Sequence, residues 1–174
     1  MKIACLGWGS LIWKPEALPV VGSWHVDGPS LPVEFSRVGD GGELATAICI
    51  DAPLSDVCWT LLDASSLQLA VQALREREKI PATRDDGVGT LLPRKHVVGS
   101  LSKWAVSKGL DAVIWTALPP RYEGIENRIP SLEDVLAYLE SLTGEVREHA
   151  KSYIEQVPAQ IDTPYRRAFK QLDW

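Results

Sequence analysis

Near the start of the chain, Lys2 to Leu6 is a short apolar run of strand character that passes directly into Gly7-Trp8-Gly9-Ser10. Two of those four positions carry no side chain. Leu11-Ile12-Trp13 is apolar again, before Lys14-Pro15. Glycines at the end of a strand allow left-handed backbone angles and let a ligand approach the peptide groups closely. Consecutive N–H groups in such a turn can form an anion-binding nest. The plain alternative is a strand-to-helix turn between buried tryptophans. Three common motifs fail on this stretch. A dinucleotide fingerprint needs glycine where Ile12 stands, and a phosphate loop needs Gly-Lys-Ser/Thr. A nucleophile elbow needs Gly-x-Ser-x-Gly, whereas Ser10 directly follows Gly9.

The patterns that follow are mostly those of strands. Trp24 to Ser36 reads as a strand interrupted at Asp27-Gly28-Pro29. The turn Gly39-Asp40-Gly41-Gly42 leads into a run from Leu44 to Ile50, closed by Pro53. Val57 to Leu62 is the next strand, with Asp63 a helix-cap candidate. From Ser65 to Lys79 the period becomes helical, with Leu67, Ala70, Val71 and Leu74 on one face and Pro81 as the stop. Residues 82–95 carry no decisive period. A helix from Val97 to Lys108 ends at Gly109, and residues 111–118 form a buried strand ended by Pro119-Pro120. Arg121 to Pro130 reads as a polar loop. Helices follow from a capping-box-like start at Ser131 to Leu142, from Glu145 to Gln156, and briefly after Thr163-Pro164.

Strands come first, one helix divides the fourth from the last, and helices finish the chain. That order predicts an α+β fold whose mixed sheet curls toward a small, partly closed β-barrel flanked by helices. A single sheet is expected to hold residues 2–8, 43–50, 57–62 and 111–118. At 174 residues, one domain spanning 1–174 is expected.

Composition narrows the partners. The net charge of −5 speaks against nucleic acid, which demands a clustered basic surface. No apolar run approaches the roughly 18 residues of a membrane span, and no basic-then-apolar leader pattern opens the chain. A cytoplasmic protein is expected, with no membrane partner. Cys5, Cys49 and Cys58 each lie in an apolar strand-like run and read as reduced core residues. His25, His96 and His149 share no ligand spacing with one another or with the cysteines, so no metal site is predicted.

Arg75-Glu76-Arg77-Glu78-Lys79 closes the first helix. Alternating charges on a helix ordinarily make a solvated, ion-paired face. Leu74 and Glu78, however, are four residues apart and share a face, and Leu74 belongs to the apolar stripe. Glu78 is therefore the acid aimed toward the core, and Glu76 points about 200° away at the helical spacing. A carboxylate at a core edge has its ionised form disfavoured, which moves it toward general acid–base use.

These residues together resemble the gamma-glutamylcyclotransferase-like superfamily, which includes glutathione-degrading enzymes and gamma-glutamylamine cyclotransferases. Trp8-Gly9-Ser10-Leu11 is similar to its aromatic-Gly-Ser-Asn/Leu turn, with tryptophan where tyrosine is usual. Leu74-Arg75-Glu76-Arg77-Glu78 is similar to its leucine, three residues, then essential glutamate. The preceding arginine resembles the glutathione-degrading branch. Lys79-Ile80-Pro81 stands where a glycine-tyrosine pair is usual. Leu31 to Ile50 resembles the family's strand, glycine-rich turn and strand, and Pro164-Tyr165 resembles a Pro/Glu-Tyr pair of its last helix. The resemblance covers roughly Ile3 to Glu78 well and the remainder loosely.

It implies a small-molecule gamma-glutamyl substrate, whose α-amine attacks its own γ-carbonyl to close 5-oxoproline and expel an amine. An intramolecular attack gains much from proximity. Glu78 is implied as the proton acceptor, and Trp8, Gly9, Ser10 and Leu11 as substrate-binding, with backbone N–H groups at Gly9 and Ser10 meeting a carboxylate or oxyanion. The reaction needs no cofactor. Two other readings stay open: a catalytically silent ligand-binding or interaction module on the same fold, and an amidase that uses water.

Overall fold

The computed structural model describes residues 1–95 and 98–174. Its elements begin with strands β1 (Ile3–Gly7), β2 (Val20–His25), β3 (Ser30–Val38), β4 (Leu44–Ile48), β5 (Leu54–Asp56) and β6 (Cys58–Leu62). Helix α1 (Leu67–Arg77), β7 (Val88–Leu91), α2 (Ser100–Ser107) and β8 (Ala112–Thr116) follow. The chain finishes with β9 (Arg121–Tyr122), β10 (Ile125–Glu126), α3 (Leu132–Ser141), α4 (Gly144–Gln156) and α5 (Pro164–Phe169). These elements form two compact units, each assembled from separate stretches of chain. The first comprises Met1–Gly7, Leu11–Ser30 and Asp56–Leu118, the second Trp8–Ser10, Leu31–Ser55 and Pro119–Trp174.

The first unit is built on a sheet of order β2-β6-β1-β8-β7. All five residues of β1 are buried. This central strand runs antiparallel to β6, from Ile3↔Leu62 to Gly7↔Cys58, and parallel to β8, from Ile3↔Ala112 to Cys5↔Ile114. An unbroken apolar run is what a strand buried on both faces requires. Helix α1 adds Ala70 and Leu74 to a cluster with Ile3, Cys5, Ala112 and Ile114, and Leu67 and Val71 pack against it. The predicted stripe of this helix is its buried face. Its cap is Ser66, whose hydroxyl accepts from the Leu69 N–H, and not Asp63. A cap must stand directly before the first turn, and Asp63 lies too early; its N–H donates to Pro19 O instead.

The second unit carries a sheet of order β10-β9-β3-β4, with β5 also paired to β3. Residues 44–48 therefore do not share a sheet with residues 3–7, 58–62 and 112–116, contrary to the single sheet expected. The cause is local. The Gly39–Gly42 turn, closed by Gly39 N–H to Glu43 O and Gly42 N–H to Gly39 O, folds β4 back on β3 as a hairpin. Likewise the stretch from Trp24 to Ser36 divides into two strands, β2 and β3, that enter different sheets. Helix α3 opens on a complete capping box, Ser131 with Asp134, as its sequence predicts. Helix α4 packs on β4, and α5 is capped by Thr163.

Mixed sheets with helices in both units make this an α+β fold, as the order of patterns predicts. The short strands β5, β7, β9 and β10 were not legible. For β7 the reason is Gly89: a side chain there would run into the Trp115 indole on the paired strand. The expected helix at 97–108 is α2, and Val97, its predicted start, lies outside the described residues. All three cysteines are buried and free. Among the described residues no helix is long and apolar enough to cross a membrane.

Candidate functional site

Glu78 is the residue on which α1 ends. Its N–H still donates to Leu74 O, at 2.9 Å, but the next residue turns left-handed, with Lys79 at a φ of 54°. Lys79 N–H then returns to Glu76 O and Ile80 N–H to Arg75 O. That pair of bonds is a Schellman closure, usually built on glycine. Helix α1 thus stops by its own backbone two residues ahead of Pro81, which had been expected to stop it. The tight reversal fixes where the Glu78 side chain leaves the helix.

The carboxylate is held from two directions. Thr116 Oγ1, at the end of β8, donates to Glu78 Oε1 at 3.1 Å. Arg77 Nη1 lies 3.5 Å from the same oxygen, and the two side chains are 9% and 16% exposed. The Arg77 guanidinium also donates twice to the Lys14 carbonyl, at 3.0 and 2.7 Å. It therefore ties the stretch after Trp13 to the end of α1. Burial pushes the Cys5 thiol well above its ordinary range, the Glu78 charge adds to that, and Arg77 opposes it.

The charged run is thus only partly a solvated face. Arg75 donates to the carbonyls of Pro81, Arg84 and Asp86 and so holds the loop beyond the helix. Glu76 is exposed and accepts from Gln72 Nε2 at 2.9 Å. An open groove of about 380 Å³ runs past Gln72, Arg75, Glu76 and Lys79, and Glu78 does not line it. The helical phase that sets Glu78 apart from Glu76 is therefore seen in their surroundings.

Trp8, Gly9 and Ser10 belong to the second unit, where Thr46 and Tyr153 meet the turn. Thr46 Oγ1 donates to Trp8 O at 2.9 Å. Tyr153 OH lies 3.1 Å from Thr46 Oγ1 and accepts from the Thr46 N–H at 3.3 Å. A Cβ on Gly9 would collide with the Tyr153 hydroxyl and approach Thr46 Oγ1 to 2.8 Å. On that side, the space glycine leaves is taken by the protein's own tyrosine.

Leu11 and Glu78 belong to the first unit. Leu11 is packed in the cluster that includes Cys5 and Leu74, one helical turn before Glu78. Trp8 is buried and Ser10 half-buried. Sequence reasoning passed over Thr46, Thr116 and Tyr153. For Tyr153 a signal existed: it continues the buried face of α4 with Ala150, and a tyrosine on an apolar stripe needs a partner for its hydroxyl. Among the described residues no group of three or more His, Cys, Asp or Glu could hold a metal ion.

No family model matches the chain, and no curated protein is significantly similar to it. Among solved structures it is similar to a yeast gamma-glutamyl cyclotransferase specific to glutathione, at 13% identity. The match covers 97% of this chain and 96% of that one, with a TM-score of 0.43. A likeness at that level says nothing about activity or substrate.

Proposed function

We propose that this protein is a gamma-glutamyl cyclotransferase that converts a gamma-glutamyl amide or peptide to 5-oxoproline and a free amine. The observation that supports this reading is the holding of Glu78. A half-buried carboxylate is pinned between a threonine hydroxyl and a guanidinium, at the position that resembles the family's essential glutamate.

An α-amine with a pKa of about 8 is mostly protonated at pH 7, so the nucleophile must first lose a proton. In this reading Glu78 takes that proton. The freed amine attacks the substrate's own γ-carbonyl carbon, a C–N bond forms, and the carbonyl oxygen becomes an oxyanion. Collapse breaks the original amide bond as the leaving nitrogen takes the proton back from Glu78, and the ring nitrogen then gives up its second proton, which the freed amine carries away as an ammonium. The family resemblance assigns the substrate contacts in this reading: backbone N–H groups at Gly9 and Ser10 for its carboxylate or the oxyanion, and Trp8 and Leu11 as further binding residues.

The deciding experiment incubates the protein with glutathione and with gamma-glutamylamines and assays 5-oxoproline against free glutamate. Release of 5-oxoproline supports the proposal. Free glutamate identifies a water-using amidase instead, and absence of turnover leaves a ligand-binding module.

A further inference from the structure

We infer that Thr46 and Tyr153 are positioning residues that fix the Trp8–Gly9 peptide so that its N–H serves a ligand carboxylate. The inference takes its ligand from the cyclotransferase reading and its geometry from the second unit alone.

Proton accounting gives the direction of the relay. Thr46 has one hydroxyl proton and gives it to Trp8 O at 2.9 Å. Its Oγ1 can therefore only accept from the Tyr153 hydroxyl, 3.1 Å away. The Tyr153 oxygen accepts in turn from the Thr46 N–H at 3.3 Å. The three bonds form one connected set, running from α4 through β4 to the turn. Thr46 and Tyr153 are 8% and 7% exposed, so water does not compete for these groups.

The consequence falls on Gly9. A peptide unit is planar, and in a trans unit the N–H points opposite to the C=O. Among the described residues no peptide bond is cis. With Trp8 O turned to the Thr46 hydroxyl, the Gly9 N–H points away from that hydroxyl. Engagement of the carbonyl also polarises the peptide and strengthens its N–H as a donor. The hydroxyl of Tyr153 stands where a side chain at position 9 would be, so the turn cannot shift toward α4. A donor held in this way needs no reorganisation when a negative charge arrives.

The test follows the Gly9 amide by ¹⁵N–¹H spectroscopy while 5-oxoproline is titrated into wild type, Thr46→Val, Thr46→Ser and Tyr153→Phe. The Gly9 amide should respond in wild type. Thr46→Val removes the bond that holds the Trp8 carbonyl and should weaken the apparent affinity by about 10-fold, because the Gly9 N–H loses its fixed aim at the ligand carboxylate. Thr46→Ser restores the hydroxyl and should restore the response, which a merely structural role for the side chain would not require. If Thr46→Val loses its dispersed spectrum, Tyr153→Phe carries the comparison, with an intermediate loss expected. An equal response in wild type and the folded variants overturns the inference, and so does a Gly9 amide that never responds. Turnover of glutathione is measured on the same samples. Turnover with a silent Gly9 sinks this inference and leaves the reaction standing; a responsive Gly9 without turnover does the reverse.

Discussion

Thr116 Oγ1 donates to Glu78 Oε1 over 3.1 Å, so a residue of β8 sets the direction of a carboxylate carried on the end of α1. A proton acceptor works best when its lone pair is already aimed. Thr116→Val removes the donor while keeping the branched shape, and it should lower 5-oxoproline release by about 10-fold, the effect of one lost hydrogen bond to a charged group. Thr116→Ser should retain most of the rate. A Thr116→Val variant as fast as wild type would show that the bond does not orient Glu78.

The helix end that carries Glu78 is closed by a lysine in the left-handed region, Lys79 at φ 54°. That conformation costs an ordinary residue about 1–2 kcal/mol and glycine very little, although glycine loses about 0.5–1 kcal/mol more entropy on folding. Lys79→Gly should therefore stabilise the protein by about 0.5–1 kcal/mol, raising Tm by about 1–4 °C for a chain of this size. Calorimetry reads the shift. A fall in Tm would mean that the lysine side chain contributes more than its strained backbone costs.

Gly9 and Tyr153 are matched, since the tyrosine hydroxyl stands where a Cβ on residue 9 would be. Gly9→Ala should destabilise by about 2 kcal/mol or more through overpacking. Tyr153→Phe removes the obstructing oxygen and alone should cost about 1 kcal/mol for the lost hydrogen bonding. In denaturant unfolding, the double variant should be more stable than the sum of the two costs by about 1 kcal/mol, as expected of residues in contact. Strict additivity would mean that the two do not press on each other.

The pH dependence of stability has a defined contribution from Asp27. The Lys108 ammonium bonded to it, then the Trp59 indole N–H, hold its carboxyl at about 2. Unfolded, an aspartate titrates near about 3.9. The folded value is the lower one, so the stabilisation is complete above about pH 5 and is lost as pH falls toward 2. Tm should fall from wild type to Asp27→Asn at neutral pH, and that gap should close between about pH 5 and 2. Asp27 is exposed, so the gap will be small and will shrink with added salt. A gap that widens on acidification would contradict the sign.

Much of this fold was legible because its signals are local. The unbroken apolar runs of β1 and β8, the stripe from Leu67 to Leu74 and the capping box at Ser131 each lie within about a dozen residues. The phase separating Glu78 from Glu76 belongs with them, since four residues suffice to state it. What stayed hidden depends on distant partners. Thr46 meets Tyr153 across 107 positions and Thr116 meets Glu78 across 38, and no period connects either pair. The left-handed Lys79 was masked by Pro81, a stronger punctuation two residues later. The assignment of β4 to a second sheet depends on which strand β3 joins, and alternation along β4 carries no information about that. Strands of two to four residues, such as β9 and β7, are too short to show a period of two.

The central claim is that Glu78 takes the proton of the substrate amine, and one substitution addresses it directly. Glu78→Gln keeps the shape and can still accept from Thr116, but it can no longer hold a proton. The account predicts a fall in 5-oxoproline release of roughly 100-fold or more, with ligand affinity little changed. Glu76→Gln, on the exposed side of the same helix, is the control and should keep nearly the wild-type rate, with stability altered by less than about 0.5 kcal/mol. A Glu78→Gln protein that releases 5-oxoproline as fast as wild type would contradict the account.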